Sequence, residues 1–280
     1  YTFNTSKKLE IVKEIALQIG AYNYIIRKFS LKPFSFELIS YLDVPSGSGL
    51  GTSSTLLVAI LGVFLEWYRI PMGKYEISKL AVEIERNYLN QAGGKQDQYA
   101  SVFGGFNFLE FKANNQVVVN PLRLNENIIE EIRYNLVLFY TNLSRESSSI
   151  IEKQNLNYRN NKNSVVNVLN NLKKLSYDLK DSILLNCPEK MGEILNKSWN
   201  NKKRLASEIS NKSIDHIYSI AIENGSTGGK ISGAGGGGFM IFYCPGVSKF
   251  KVIDELSKIG VKKQTYSFEK EGLKVWKSTI

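Results

Sequence analysis

Several stretches of this 280-residue chain carry residue types that can do chemistry. The first is Pro45-Ser46-Gly47-Ser48-Gly49-Leu50-Gly51-Thr52-Ser53-Ser54-Thr55, which runs into the apolar segment Leu56 to Leu65. Glycines let the backbone fold tightly and approach a ligand, because no Cβ stands in the way. The start of the helix that follows offers unpaired N–H groups and a partial positive charge, a ready site for phosphate. Hydroxyls there can bond phosphate oxygens or ligate magnesium. The same pattern also suits a glycine-rich connection with Ser or Thr as helix cap. Three glycines, several hydroxyls and the apolar helix behind them favour phosphate.

Two acids follow. Glu85 falls at the edge of a helical apolar stripe, where a carboxylate is either a paired core-edge acid or a magnesium ligand. Asp97 lies in Gln91-Ala92-Gly93-Gly94-Lys95-Gln96-Asp97-Gln98-Tyr99, a glycine turn leading into a short helix. It suits a first-turn acid, or a general base if Lys95 lies close enough to hold it ionised. A second glycine-rich loop, Gly228-Gly229-Lys230-Ile231-Ser232-Gly233-Ala234-Gly235-Gly236-Gly237-Gly238, runs straight into an apolar strand, which a flexible linker would not do.

The elements that must position these groups follow from periodicity. Apolar residues at Ile11, Val12, Ile15, Ile19, Tyr22, Ile25 and Ile26 predict a helix within Leu9 to Phe29, closed before Lys32-Pro33. Phe34-Ser35-Phe36-Glu37-Leu38 alternates as a half-buried strand does. Lys74 to Leu89 reads as a helix, and Phe106 to Phe111 with Gln116 to Asn120 reads as a hairpin. Beyond Leu122 to Arg133 come a strand at Leu136 to Tyr140 and a helix capped by Ser144. The Asn- and Lys-rich residues 154–171 keep helical spacing, and two further helices follow. A strand at Phe239 to Tyr243, a helix at Ser248 to Ile259 and a strand at Gln264 to Phe268 close the chain. This order predicts an α+β sandwich.

The bulk numbers exclude more than they assign. A 43% hydrophobic and 22% charged composition describes an ordinary globular protein, and the run from Leu56 stops at Glu66, short of a membrane span. Tyr1-Thr2-Phe3-Asn4 lacks the basic-then-apolar pattern of a signal peptide. Cys187 and Cys244 have no paired spacing and suit a reducing cytoplasm; with His216 as the single histidine and no cysteine cluster, neither a zinc site nor a Ser-His-Asp triad is expected. The net charge of +10 suits anionic ligands, but the lysines are dispersed, with short clusters such as Lys202-Lys203-Arg204. That describes solvated faces, and neither a nucleic-acid nor a membrane partner is expected. Gly233 to Gly238 matches G-x-G-x-x-G, yet a strand follows it where a dinucleotide fold needs a helix, and neither loop is a P-loop.

Taken together, the motifs resemble those of the galactokinase, homoserine, mevalonate and phosphomevalonate kinase (GHMP) superfamily. Pro45 to Thr55 is similar to its P-x-x-x-G-L-G-S-S-A motif, and Lys230 to Gly238 to its late glycine-rich motif. Within it, Gly49 to Thr55, Gly93 to Tyr99 and Ser144-Arg145-Glu146-Ser147 most resemble the D-glycero-D-manno-heptose 7-phosphate kinases. The resemblance implies a two-domain α+β fold: an N-terminal ATP-binding domain over 1–125, ribosomal-protein-S5-like and incomplete at its start, and a ferredoxin-like C-terminal domain over 126–280. An early Gly-Gly-Gly-Thr-Asp-like substrate motif, usual in the sugar-phosphate branch, is not among these residues; the reading is a fragment or a short homologue.

The resemblance also implies roles. Pro45, Gly47, Ser48, Gly49, Leu50, Gly51, Thr52, Ser53 and Ser54 would hold the ATP phosphates, and Ser53 with Glu85 would hold Mg2+. Asp97 would sit at the sugar hydroxyl as base or orienter, with Lys95 beside it. Gly235 and Gly236 would border the substrate, and Arg145 would bind its phosphate. The implied activity is ATP-dependent phosphorylation of heptose 7-phosphate to the 1,7-bisphosphate, for nucleotide-heptose and surface polysaccharide synthesis. The competing readings are a catalytically silent homologue that binds nucleotide or sugar, and a kinase for another sugar such as galactose or fucose.

Overall fold

The computed structural model describes residues 1–5, 8–45, 47–143, 147–160 and 162–278. The expectations placed on Ser46, Ser144 and Arg145 fall outside them. The chain divides into two compact units: Tyr1–Ser46, Gly51–Asn120 and Glu269–Ile280 form the first, Gly47–Leu50 and Pro121–Phe268 the second.

In the first unit, α1 (Ala16–Lys28) follows a short 3-10 turn, and α2 (Thr52–Trp67) is the apolar helix behind the first glycine loop. Next come α3 (Lys74–Val82), α4 (Gln96–Phe103) and the hairpin of β1 (Asn107–Phe111) and β2 (Val117–Pro121). Leu57, Leu61 and Phe64 of α2 pack with Ile19, Ile25, Leu80 and Ile84 in one core. The expected helix from Leu9 starts later. Asn23 explains this, since its side chain accepts from Leu9 N–H at 2.9 Å and donates to Leu9 C=O at 2.8 Å, holding that segment extended along α1.

Phe34 to Leu38 is not a strand. Among the described residues no strand pairs with it, and its apolar side chains pack on the helices: Phe34 stacks on Trp67 and Phe36 meets Tyr22 and Phe64. The expected helix Lys74 to Leu89 is α only to Val82 and continues as a π-helical turn over Glu83–Tyr88. The wider π turn, common at functional sites, carries Glu85 and Arg86. Returning chain at Glu269 and Leu273 bonds Gly105 N–H at 2.8 Å and Val102 C=O at 3.2 Å, closing this unit.

The second unit adds α5 (Glu126–Asn135), β3 (Leu136–Tyr140), α6 (Ser147–Asn160), α7 (Lys162–Leu184), α8 (Lys190–Lys203) and α9 (Lys212–Glu223). It ends with β4 (Gly228–Ile231), β5 (Phe239–Tyr243), α10 (Ser248–Lys258) and β6 (Lys262–Gln264). The strands form one sheet in the order β4-β5-β3-β6, each pair antiparallel. This is the strand order of a ferredoxin-like fold.

Period-two alternation buries both faces. Val137, Phe139, Met240 and Phe242 join the α9 and α10 side, while Tyr243 packs with Ile128, Ile132, Met191 and Leu195. The last strand occupies Lys262–Gln264, not Gln264 to Phe268. Its pairing ends at Leu138, and the next carbonyl along β3 on that side, Leu136, accepts from the Tyr266 hydroxyl at 2.8 Å. Among the described residues no helix is long and apolar enough to cross a membrane.

Candidate active site

The first glycine loop is built by close approach. Gly49 has φ +80°, and a Cβ there would stand 2.6 Å from the Ser232 carbonyl of the second glycine loop. Ser48 C=O accepts from Phe239 N–H at 3.1 Å, and Gly238 packs on the same carbonyl. Ser48 is 1% exposed and its hydroxyl has no partner among the described residues. A buried orphan hydroxyl in such a loop calls for an acceptor, and a phosphate oxygen supplies one. The second loop thus shapes the first within one unit.

Gly51 is the N-cap of α2, left-handed at φ 71°, and no side chain caps the helix. Its first N–H groups and dipole are therefore available to an anion. A Cβ on Gly51 would lie 3.0 Å from Asp97 Cγ, so the carboxyl rests against the helix start. The junction is held by Thr55 and Ser101, whose hydroxyls are 2.8 Å apart.

Behind the loop lies a hydrogen-bonded acid. Glu85 is 1% exposed; Ser53 Oγ donates to its Oε1 at 3.0 Å, and Ser54 Oγ to its Oε2 at 2.8 Å. Gln98 Nε2 donates to Glu85 Oε2 and, at 3.0 Å, to Ser54 Oγ. Among the described residues no group of three or more His, Cys, Asp or Glu is placed to hold a metal. The Ser53 and Glu85 oxygens nevertheless fit magnesium, which takes one or two protein oxygens and fills its remaining positions with phosphate and water.

Asp97 is on α4, partly buried, and accepts from Gln96 Nε2 at 3.2 Å. Burial, with the Glu85 carboxylate adding to it, holds its carboxyl above the ordinary range, against Arg86 and Gln96. This corrects the expectation for Lys95, whose ammonium donates to Asn115 at 2.9 Å and does not act on Asp97. At the helix N-cap the Lys95 side chain is carried toward the hairpin.

The cation that does act is Arg86, which the sequence reading missed. Its guanidinium donates to Gly94 C=O at 3.0 Å and Gln91 C=O at 3.3 Å, and lies 3.8 Å from Glu85 Oε1. A Cβ on Gly93 would stand 2.6 Å from its Nη2, so a side chain there would push the guanidinium aside. A glycine pair just after a helical Arg was the available signal. Lys202 was also misread as solvated: it is partly buried, with its ammonium on the Gly233 carbonyl.

An uncapped helix start, a buried acid bonded to two serines and a second carboxyl against that helix start are the kinds of group that phosphoryl transfer uses. Comparison with known proteins agrees. Residues 11–105 match the GHMP kinases N terminal domain and residues 179–262 the GHMP kinases C terminal domain. The chain belongs to the GHMP kinase family.

Among its relatives is the D-glycero-alpha-D-manno-heptose 7-phosphate kinase of Campylobacter jejuni, 44% identical over 270 residues, 96% of this chain and 77% of that protein. A crystal structure described as a D-glycero-D-manno-heptose 1-phosphate kinase from Bacteroides thetaiotaomicron is 36% identical with a TM-score of 0.75, covering 96% of this chain and 78% of that one. Galactokinase from Lactococcus lactis, 18% identical with a TM-score of 0.68 over 96% of this chain and 78% of its own, shares the fold.

Proposed function

We propose that the chain transfers the γ-phosphate of ATP to a sugar phosphate, D-glycero-D-manno-heptose 7-phosphate, giving the 1,7-bisphosphate for nucleotide-heptose synthesis. The observation that carries this is the 44% identity to the Campylobacter heptose 7-phosphate kinase across 96% of the chain. The Ser53–Glu85–Ser54 hydrogen bonds and Asp97 against Gly51 support activity over a silent homologue. Residues 1–125 would form the ATP-binding domain and 126–280 the C-terminal domain, except that Glu269–Ile280 returns to the first unit. Cys187 and Cys244 are free, in keeping with a reducing cytoplasm.

The chemistry follows from the groups. Pro45 and Gly47 to Ser54 would hold the phosphates through backbone N–H groups and hydroxyls. Magnesium, on Ser53 and Glu85, would neutralise phosphate charge. Asp97 would accept the proton of the sugar hydroxyl as its oxygen bonds to the γ-phosphorus and the bond to the ADP oxygen breaks. A carboxylate with a raised pKa is the stronger base once ionised. Gly235 and Gly236 would border the sugar.

The test is ATP turnover by the full-length protein against heptose 7-phosphate, heptose 1-phosphate, galactose and fucose. Turnover confined to the 7-phosphate supports the proposal. Turnover of another sugar alone replaces the substrate, and turnover of none refutes the kinase reading.

A further inference from the structure

Two lysines flank the second glycine loop within the second unit. Lys202 lies in the last turn of α8 and donates to Gly233 C=O. Lys230 is on β4 opposite Ile241, and so on the face away from the fully buried Ile231. Both are partly buried, and among the described residues neither forms an ion pair. Their neighbours behave differently: Lys197 pairs with Glu193, Lys203 with Asp215 and Lys153 with Glu208. Burial pushes the Lys202 amine down to about 7, with repulsion from Lys230 adding to it, and burial lowers Lys230 as well.

Two partly buried lysines beside one loop, neither with a carboxylate partner among the described residues, are unfavourable as cations until an anion joins them. Lysine ammonium groups bind phosphate as point charges. The nucleotide's phosphates are already served by the glycine loop and the uncapped start of α2. A separate cation pair beside Gly233 to Gly238 therefore points to a separate phosphate. We infer that Lys202 and Lys230 form an anion subsite that holds the phosphate monoester the sugar substrate already carries. This rests on the sugar-phosphate reading above.

The test compares wild type with Lys230→Gln, Lys202→Gln and Lys230→Arg, using ATP with heptose 7-phosphate or unphosphorylated heptose. The expected result for each Gln variant is a KM for heptose 7-phosphate raised about tenfold or more, the order of a lost charge-assisted hydrogen bond. The KM for ATP and the weak use of unphosphorylated heptose stay as they were, and Lys230→Arg recovers part of the loss. An unchanged KM for the sugar phosphate overturns the inference. So does a rise confined to the KM for ATP, which would give the lysines to the nucleotide.

Melting curves accompany each variant, and if Lys202→Gln does not fold, Lys230→Gln decides. Titration of inorganic phosphate into ADP-saturated protein, followed by phosphorus NMR, separates the two readings. If wild type turns over no sugar phosphate, the substrate reading falls. Phosphate binding lost in the Gln variants then still supports the subsite, and binding retained in them overturns it.

Discussion

Replacing Arg86 with Gln tests how Asp97, the proposed base, is held. The guanidinium makes two hydrogen bonds to carbonyls of the Gln91–Gly94 turn, and its side chain is 17% exposed. Bonds from a charged donor contribute about 1.5–3 kcal/mol each. Gln can replace one of them and water reaches the exposed part, so the loss comes to about 2–3 kcal/mol. The Glu85 pair adds little, because 3.8 Å is long and Glu85 keeps three other donors. The melting temperature of this unit should fall by roughly 5–10 °C. Freed of its tether, the turn lets Asp97 drift, at a cost of about 10–100-fold in kcat/KM.

The pH profile carries the sharper test. Arg86 opposes the burial that raises Asp97, so its removal lifts the Asp97 carboxyl further. The base must be ionised to work, and the acid limb of kcat/KM therefore moves to higher pH. A limb that stays put or moves to lower pH, with unchanged melting, refutes the reasoning.

Further predictions concern the same parts. Asp97→Asn abolishes phosphate transfer while ATP still binds, checked by calorimetry. Since Asp97's folded pKa is raised, its contribution to stability is full below the ordinary Asp range and is lost as pH rises through the folded value. The Asn variant should then melt higher than wild type at neutral pH and not in acid; equal curves at both would discount the burial. Glu85→Ala strands Ser54 and Gln98, and urea denaturation should show a loss of about 3 kcal/mol or more, with activity gone. Gly49→Ala, strained at φ +80° and clashing with Ser232 C=O, should weaken ATP affinity and lower stability by at least about 1–2 kcal/mol.

The site's skeleton was legible because its signals are local. A glycine loop before an apolar helix, an acid on a helical stripe and a second glycine loop before a strand each announce themselves within a dozen residues. Strands β3 and β5 were legible for the same reason, whereas β4 (Gly228–Ile231) is a strand where the sequence reads as the start of the second glycine loop. What escaped depends on distant partners. Phe34 to Leu38 has a strand's alternation, but pairing is decided by what lies alongside. Asn23 replaces the first turns of the expected helix through residues fourteen positions away. Lys95 was matched to Asp97 by nearness in sequence, whereas α4 carries them apart and Arg86, eleven positions earlier, takes the role. Lys202 looked like one of a solvated triplet until the Gly233 carbonyl came to meet it.

The way the chain closes on itself has a consequence for its biosynthesis. Gly49 is shaped by Ser232, and Val102 and Gly105 are bonded by Leu273 and Glu269. As the chain leaves the ribosome, the first glycine loop can be made early but cannot be set until some 180 more residues have emerged. The first unit waits longer still for its closing segment. Such long-range closure makes for slow, late folding. Nascent chains cut short before Glu269 should therefore remain open to proteases however completely the second unit has formed, and ATP should protect only chains that have passed that point.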